Sequence, residues 1–509
     1  MKKYILSALA AFTLFSCTED VMDDINKRPD NPSDENVAPS MQISDGIMSV
    51  GYNTTSGNIA FYMASYTEQL VGVGYAQLYN AEMRLPSMVA SSSTFNNEWN
   101  GTYGNVLNLK KAIAKSEDGA KFDSQVDVRG MAKVMLALSY GNLTDVFGDV
   151  PAMESGKDGV KKPKVDSQSD IYAEIFNLLD SALDDFAKAK ANNLFYAGDQ
   201  DVLFKGDLAK WESFAYALKA RYKLHLIKVE PNAATEALAA AEKAKSLGFD
   251  GADIKGFRSY ASMSANPWAA FWGDTQFHAS SKTVNDLLVE RNDPRQPVYA
   301  TPWAYNGKVL ATDVATPGNR KDSQMVFGTS EGEGFAVPAW LNVYSFDEGE
   351  AGSIHLLSKS ELFFILAELK VRAGQDYKED FTTAVAASFD DYSKFAVAVN
   401  GSANDYVATL ESKLNANPMK EIMIQKYISQ CRDEQIEAYN DMRRFDALGE
   451  SDNYVAKTNA NNVQNGANRW PLRMPYGQSD VIANPDVADR YGNGFYIFTE
   501  NVWWAGGKR

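Results

Sequence analysis

Cysteine and histidine are scarce in this chain of 509 residues: two cysteines, Cys17 and Cys431, and three histidines, His225, His278 and His355. So few thiols exclude a disulfide framework, and a chain of this size buries a large core without one. The histidines stand far from one another and from either cysteine, and no His-Glu-x-x-His occurs, so the spacing of a zinc site is missing. Positive charge is short as well. A formal net charge of −16 repels a polymer of phosphates and argues against nucleic acid as a partner, while a neutral ligand is indifferent to that field. No P-loop is present, and beyond the amino terminus no apolar run approaches the 18 residues that a membrane-spanning helix requires.

Enzyme signatures are equally thin. Gly328-Thr329-Ser330-Glu331-Gly332 fits the Gly-x-Ser-x-Gly pattern, but Gly334 and Pro338 prevent the helix that must follow a nucleophile elbow. A glycosidase carboxylate pair stays open, because 66 acidic residues form many pairs whose separation in space the sequence does not give.

The features that are present begin at the amino terminus. Lys2 and Lys3 precede a largely apolar run over residues 4–15, too short to span a bilayer but suited to a signal peptide. The run ends in Leu14-Phe15-Ser16-Cys17, which resembles a bacterial lipobox and makes Cys17 the candidate lipidation site, with residues 1–16 removed. Several acyl chains, each buried methylene contributing about 0.8 kcal/mol, would anchor the chain without a membrane helix. Residues 17–37, acidic and then rich in Pro, Asn and Asp, read as a flexible tether.

Helical periodicity dominates the rest of the chain, which reads as mostly α. Met131, Val134, Met135 and Leu138 are spaced three and four apart, as are Ile171, Ile175, Leu178, Leu179, Ala182 and Phe186, and Leu208, Trp211, Phe214, Leu218, Tyr222 and Leu226. Gly248, Gly374 and Gly449 mark helix ends, Asn417-Pro418 a start, and Ser358-Lys359-Ser360-Glu361 a capping box. About four tetratricopeptide-like helix pairs are expected, near 60–115, 128–187, 206–248 and 358–445, without a clean 34-residue period; an irregular helical bundle is the alternative. Cys431 falls in a helical pattern as a small core residue.

Two stretches break this pattern, 249–357 and 449–509. The first is rich in Gly, Pro, Asn and Ser, with β-like pieces at 324–327 and 339–346, and holds Trp268, Trp272, Trp303 and Trp340 out of nine tryptophans. Long excursions from a repeat scaffold are where binding residues concentrate. A sugar ring offers an apolar C–H face to a flat aromatic ring, and its hydroxyls to neighbouring polar groups. Asn266 beside Trp268, Asp274 beside Trp272, Tyr305 beside Trp303, and Trp340 therefore form the candidate ligand-binding set. Trp99 and Tyr103, spaced four apart, suit a core stripe, and Trp503-Trp504 suits packing.

Several segments together resemble the SusD/RagB family, outer-membrane lipoproteins that partner TonB-dependent transporters in nutrient uptake by Bacteroidetes. Leu143-Thr144-Asp145-Val146-Phe147-Gly148-Asp149-Val150-Pro151 is similar to the family's turn after an early helix. The helix Trp211-Glu212-Ser213-Phe214-Ala215-Tyr216-Ala217-Leu218-Lys219-Ala220-Arg221 is similar to another of its motifs, with Tyr216 where Asn is more common. Asn292-Asp293-Pro294-Arg295, the segment 361–368 with Glu361 and Glu368, Gln425-Lys426-Tyr427 with Asp441-Met442-Arg443-Arg444, and Pro471-Leu472-Arg473-Met474-Pro475-Tyr476 with Asn484 continue the series in order; in the last of these the proline precedes the tyrosine, a departure from the family pattern.

The resemblance implies a SusD-like fold: one domain over 38–509, with the helical scaffold at about 60–248 and 358–448, a ligand-binding insert at about 249–357 and a carboxyl-terminal segment at 449–509. It also implies a non-enzymatic glycan-binding protein; no cofactor and no metal-ligand residues are expected, and a structural cation is left open. Such a protein sits on the outer surface and passes oligosaccharide or polysaccharide to a SusC-like TonB-dependent transporter. The RagB branch leaves peptide capture open. The motif residues themselves are expected to build the fold, Arg443 and Arg444 by satisfying helix-end carbonyls and Asp293-Pro294-Arg295 by fixing a turn.

Overall fold

The computed structural model describes residues 34–72, 81, 90–157, 159–258, 265–275, 278–299, 301–303, 340–342, 352–394, 399–431, 434–456, 470–491 and 494–507. Its helices follow the apolar periodicity closely. In chain order the main ones are α1 (Pro39–Ser49), α2 (Asn58–Tyr66), α3 (Asn96–Lys115), α4 (Val126–Phe147), α5 (Gln168–Asn192), α6 (Leu208–His225), α7 (Ala233–Ser246), α8 (Pro267–Thr275), α9 (Lys282–Glu290), α10 (Lys359–Arg372), α11 (Lys378–Tyr392), α12 (Pro418–Ser429) and α13 (Gln435–Leu448). Among the described residues no helix is long and apolar enough to cross a membrane.

Three antiparallel pairs form the scaffold. In α4–α5, Arg129 meets Asp185 while Asp145 meets Tyr172. In α6–α7, Lys223 pairs with Glu236 and Lys243 lies over the Tyr216 ring. In α10–α11, Ser360 reaches Ala384 and Lys370 pairs with Asp380. The helix ends obey local chemistry. Gly248, Gly374 and Gly449 all take positive φ, and Phe249 N–H returns to Ala244 O while Gln375 N–H returns to Lys370 O, closing the last turns. Asn417 caps α12 by accepting from Lys420 N at 3.0 Å.

The pairing departs from expectation at its first unit. Within the expected first unit near 60–115, α2 packs on α13, while α3 packs on both α4 and α1. Close approach decides this. A Cβ on Gly46 of α1 would sit 2.9 Å from Leu109 of α3, so the glycine lets the two helices come together there. The segment 358–445 likewise holds more than one pair, with α12 laid against α10 and α13 turned toward α2.

Strands are few. Among the described residues they form three two-stranded antiparallel ribbons: β1 (Leu70–Gly72) with β3 (His278–Ser280), β2 (Ala252–Ile254) with β6 (Ile354–Leu357), and β4 (Thr301–Trp303) with β5 (Trp340–Asn342). Of the expected β-like pieces, 339–346 contains β5, and 324–327 lies outside the described residues. Trp99, Trp211, Trp504 and Cys431 are buried in the helical core.

Candidate functional site

The ribbon β2–β6 is where the chain leaves the scaffold and returns to it. Asp253 and His355 face each other across it, and the His355 imidazole donates to Asp253 at 2.7 Å. Burial works against the His355 charge, but the carboxylates of Asp253 and Asp391 outweigh it and raise its pKa to about 10. A charged clamp therefore closes the neck of the insert.

Just beyond the neck, Asn266 accepts from Trp268 N–H at 2.9 Å and donates to Ser353 O at 3.3 Å, starting helix α8 and tying it to the returning strand. Trp268 is 1% exposed. Its ring meets Phe61 of α2 edge-on at 4.4 Å, and Phe61 in turn stacks on Phe271 at 4.0 Å. These contacts correct the expectation for two residues: Trp268 and Asn266 plug α8 onto the scaffold and present no face to a ligand. The sequence signal, a tryptophan beside an asparagine, is the same for both roles. What distinguishes them is the apolar surface of α2 waiting opposite.

For the other expected residues the structure supplies backbone placement. Trp272 and Asp274 lie further along α8, and their side chains fall outside the described residues. The β4–β5 register sets Trp303 directly opposite Trp340, although 36 residues between them lie outside the described residues. Backbone pairing alone thus brings two of the insert tryptophans to one position of one ribbon. Tyr305 and Cys17 lie outside the described residues, as does the segment 328–332.

The far side of the insert is bolted to the scaffold by charge. Asn292 takes a left-handed φ of 48°, and the turn after it places Arg295 against Asp293 at 3.0 and 2.6 Å, with neither side chain exposed. Arg295 also donates to Ser388 of α11 at 2.8 Å and to Gln425 of α12. One helical turn away, Arg291 grips Glu421 of α12 with two bonds of 2.9 Å. The expected turn is present, and the tertiary structure uses it as an anchor.

The remaining motif residues pair with one another inside the scaffold. Arg221 of α6 binds Glu361 of α10 through both oxygens. Arg444 of α13 binds Glu368 of α10 and Asp441, which also holds Lys426 at 2.7 Å. Burial opposes the Glu368 charge, yet Arg444 and Arg372 outweigh it and hold its carboxyl down at about 2. Arg444 therefore serves carboxylates, not the helix-end carbonyls expected of it. Arg443 does reach carbonyls, but those of Leu472 and Asp145 in other segments. The capping box is also half realised: Ser358 Oγ accepts Glu361 N–H at 2.9 Å, whereas Ser358 N–H goes to Glu434 at 2.8 Å because Glu361 is committed to Arg221. Burial and the neighbouring Glu361 charge push the Glu434 carboxyl well above the usual carboxylate range.

Asp145, His225 and Glu437 form the densest cluster of possible metal ligands among the described residues. Its geometry belongs to an imidazolium. His225 Nδ1 lies 3.2 Å from Asp145 and Nε2 lies 3.0 Å from Glu437, so each nitrogen already faces its own carboxylate. Burial lowers the pKa of His225, but Asp145 and Glu437 prevail and raise it to about 9. Tyr172 and Trp504 donate to the same Asp145 oxygen at 2.5 and 2.9 Å, completing a structural network.

Over residues 32–476 the sequence matches the SusD-like family described as "Starch-binding associating with outer membrane". No curated protein matches the chain in sequence. Among solved structures, a SusD/RagB family protein from Bacteroides thetaiotaomicron VPI-5482 is 31% identical with a TM-score of 0.77, over 93% of this chain and 100% of that one. A chitin-binding protein, 21% identical with a TM-score of 0.69, is covered over 99% of its length by 92% of this chain. A SusD homologue from Bacteroides fragilis NCTC 9343 is 18% identical with a TM-score of 0.64, over 92% of this chain and 100% of that one. At those last two identities the likeness is one of fold.

Proposed function

Starting from the premise that the chain belongs to the SusD-like family, we propose that it is a surface-exposed lipoprotein of the outer membrane that captures oligosaccharide and delivers it to a SusC-like TonB-dependent transporter. The observation that carries this reading is the family match over residues 32–476, which takes in the helical scaffold and the insert together. The lipobox ending at Cys17 supplies the anchor. The chitin-binding relative shares the fold, so the scaffold is compatible with carbohydrate recognition.

The ligand is assigned to the insert, to Trp303, Tyr305 and Trp340 with Trp272 and Asp274. Support comes from the backbone pairing of Trp303 with Trp340, which sets two tryptophan positions opposite each other in one ribbon. Binding requires no catalytic group, and the protein is proposed not to be an enzyme. Of its histidines, His225 and His355 are committed to buried ion pairs.

Calorimetry of the mature chain with maltoheptaose and with chitohexaose tests the reading. Trp303→Ala and Trp340→Ala are each expected to weaken binding at least tenfold, with no reducing sugar released on prolonged incubation. Unchanged affinity in both variants would remove the insert as the site. Release of reducing sugar would turn the reading toward a glycosidase.

A further inference from the structure

Helices α5 and α7 both pack on α6, and between them lies an open cleft of about 500 Å³ on the scaffold. It exists because the wall supplied by α7 is low: Ala239 and Ala240 stand opposite the larger Phe176 of α5 and Tyr216 of α6. Both rings are partly exposed. The volume falls within the range of about 300–1,000 Å³ usual for small-ligand sites.

The charges around the cleft define what fits. Lys223 Nζ sits 4.4 Å from the Phe176 ring centre and pairs with Glu236 at 2.7 Å and Glu230 at 3.0 Å. Lys219 Nζ sits 5.7 Å from the Tyr216 ring centre and pairs with Asp180 at 2.5 Å. Each ammonium thus has a carboxylate and a ring already. An anionic ligand would have to expel a carboxylate, and a cationic one would compete with a lysine for its ring. A neutral polyhydroxylated ring leaves these ion pairs in place and needs only the exposed part of a ring. Its C–H face meets an aromatic ring, and its hydroxyls join carboxylates and ammonium groups that retain unused hydrogen-bonding capacity.

We propose that this cleft is a second saccharide-binding site, taking a neutral pyranose segment on the helical scaffold, apart from the insert. The proposal rests on the glycan-binding reading above. Two sites on one chain would hold a long glycan at two points, with the gain in avidity that an intramolecular second contact provides.

The test uses the mature chain carrying Trp303→Ala and Trp340→Ala together, titrated with maltoheptaose and chitohexaose by calorimetry and saturation-transfer NMR. Residual binding of at least one sugar is expected. Adding Tyr216→Ala or Phe176→Ala should weaken that remaining binding at least fivefold, while Tyr216→Phe, which keeps the ring, should leave it within twofold. Thermal melting confirms that each variant is folded. Residual binding indifferent to Tyr216→Ala and Phe176→Ala overturns the second site, as does complete loss of binding on the insert substitutions alone; in both cases the glycan reading stands. Failure of the unsubstituted chain to bind either sugar overturns both.

Discussion

Arg444 and Glu368 meet as a two-bond ion pair, at 2.5 and 2.7 Å, with the two side chains 1% and 0% exposed, and so fasten α13 to α10. Buried charges of this kind are unforgiving of a missing partner. Arg444→Ala is expected to lower unfolding stability by about 3–5 kcal/mol, because Glu368 and Asp441 lose a shared cation. Arg444→Lys should also lose stability, since an ammonium cannot make the paired geometry. Urea denaturation of the three proteins measures this. A loss below about 1 kcal/mol on Arg444→Ala would show the pair to be dispensable.

The buried histidines set an alkaline limit. For His225 the folded pKa of about 9 exceeds the ordinary 6.5, and for His355 it is about 10. Their stabilisation is therefore complete below pH 6.5 and fades as pH rises through 9 and 10. Glu368, held down at about 2 from 4.5, contributes above pH 4.5 and loses that contribution on acidification toward 2. Melting temperature should form a plateau near pH 4.5–6.5 and decline toward pH 10. His225→Gln should start lower and decline less. An unsloped profile from 6.5 to 10 would contradict the assigned ion pairs.

Trp268 is expected to behave as a core residue. Trp268→Ala should cost about 3–5 kcal/mol of stability. A double-mutant cycle with Phe61→Ala should recover a coupling of about 0.5–1.5 kcal/mol for the edge-to-face pair. Sugar affinity of the folded fraction should be unaltered; a selective loss of affinity with full stability would return Trp268 to the ligand.

Gly141 of α4 lies against Tyr222 of α6. An added Cβ would sit 2.0 Å from the tyrosine oxygen. Gly141→Ala is therefore expected to destabilise by about 1–3 kcal/mol or more, and Gly141→Ala with Tyr222→Leu by less than the sum of the two single changes. Additive effects would mean that the two helices part without strain.

Cys17→Ala should release the mature chain from the membrane fraction and abolish incorporation of labelled palmitate in a host that processes lipoproteins. Continued membrane association would point to retention through a partner.

Several parts of this arrangement are legible residue by residue in the sequence, and others are not. The neck of the insert is a case of each. Gly248 announces the end of α7 through its own backbone freedom, but nothing near His355 in sequence reveals that Asp253, 102 residues away, will face it. The cleft between α5 and α7 is similar. Tyr216 stands out as a departure from the family motif, yet only the packing of α7 shows that short alanines leave its ring open.

Turn periodicity, caps and glycine stops act within a few residues, so the long scaffold helices and their ends can be read from the chain, whereas α1 and the insert helices α8 and α9 cannot. Long-range packing set the partners: α2 on α13, α3 on α4 and α1, Glu361 on Arg221 across 140 residues, Arg444 on Glu368 across 76, and Trp268 turned inward. A charged or aromatic side chain carries the same local signal whether it will meet solvent, ligand or core. Which it meets depends on surfaces supplied by distant segments once they pack.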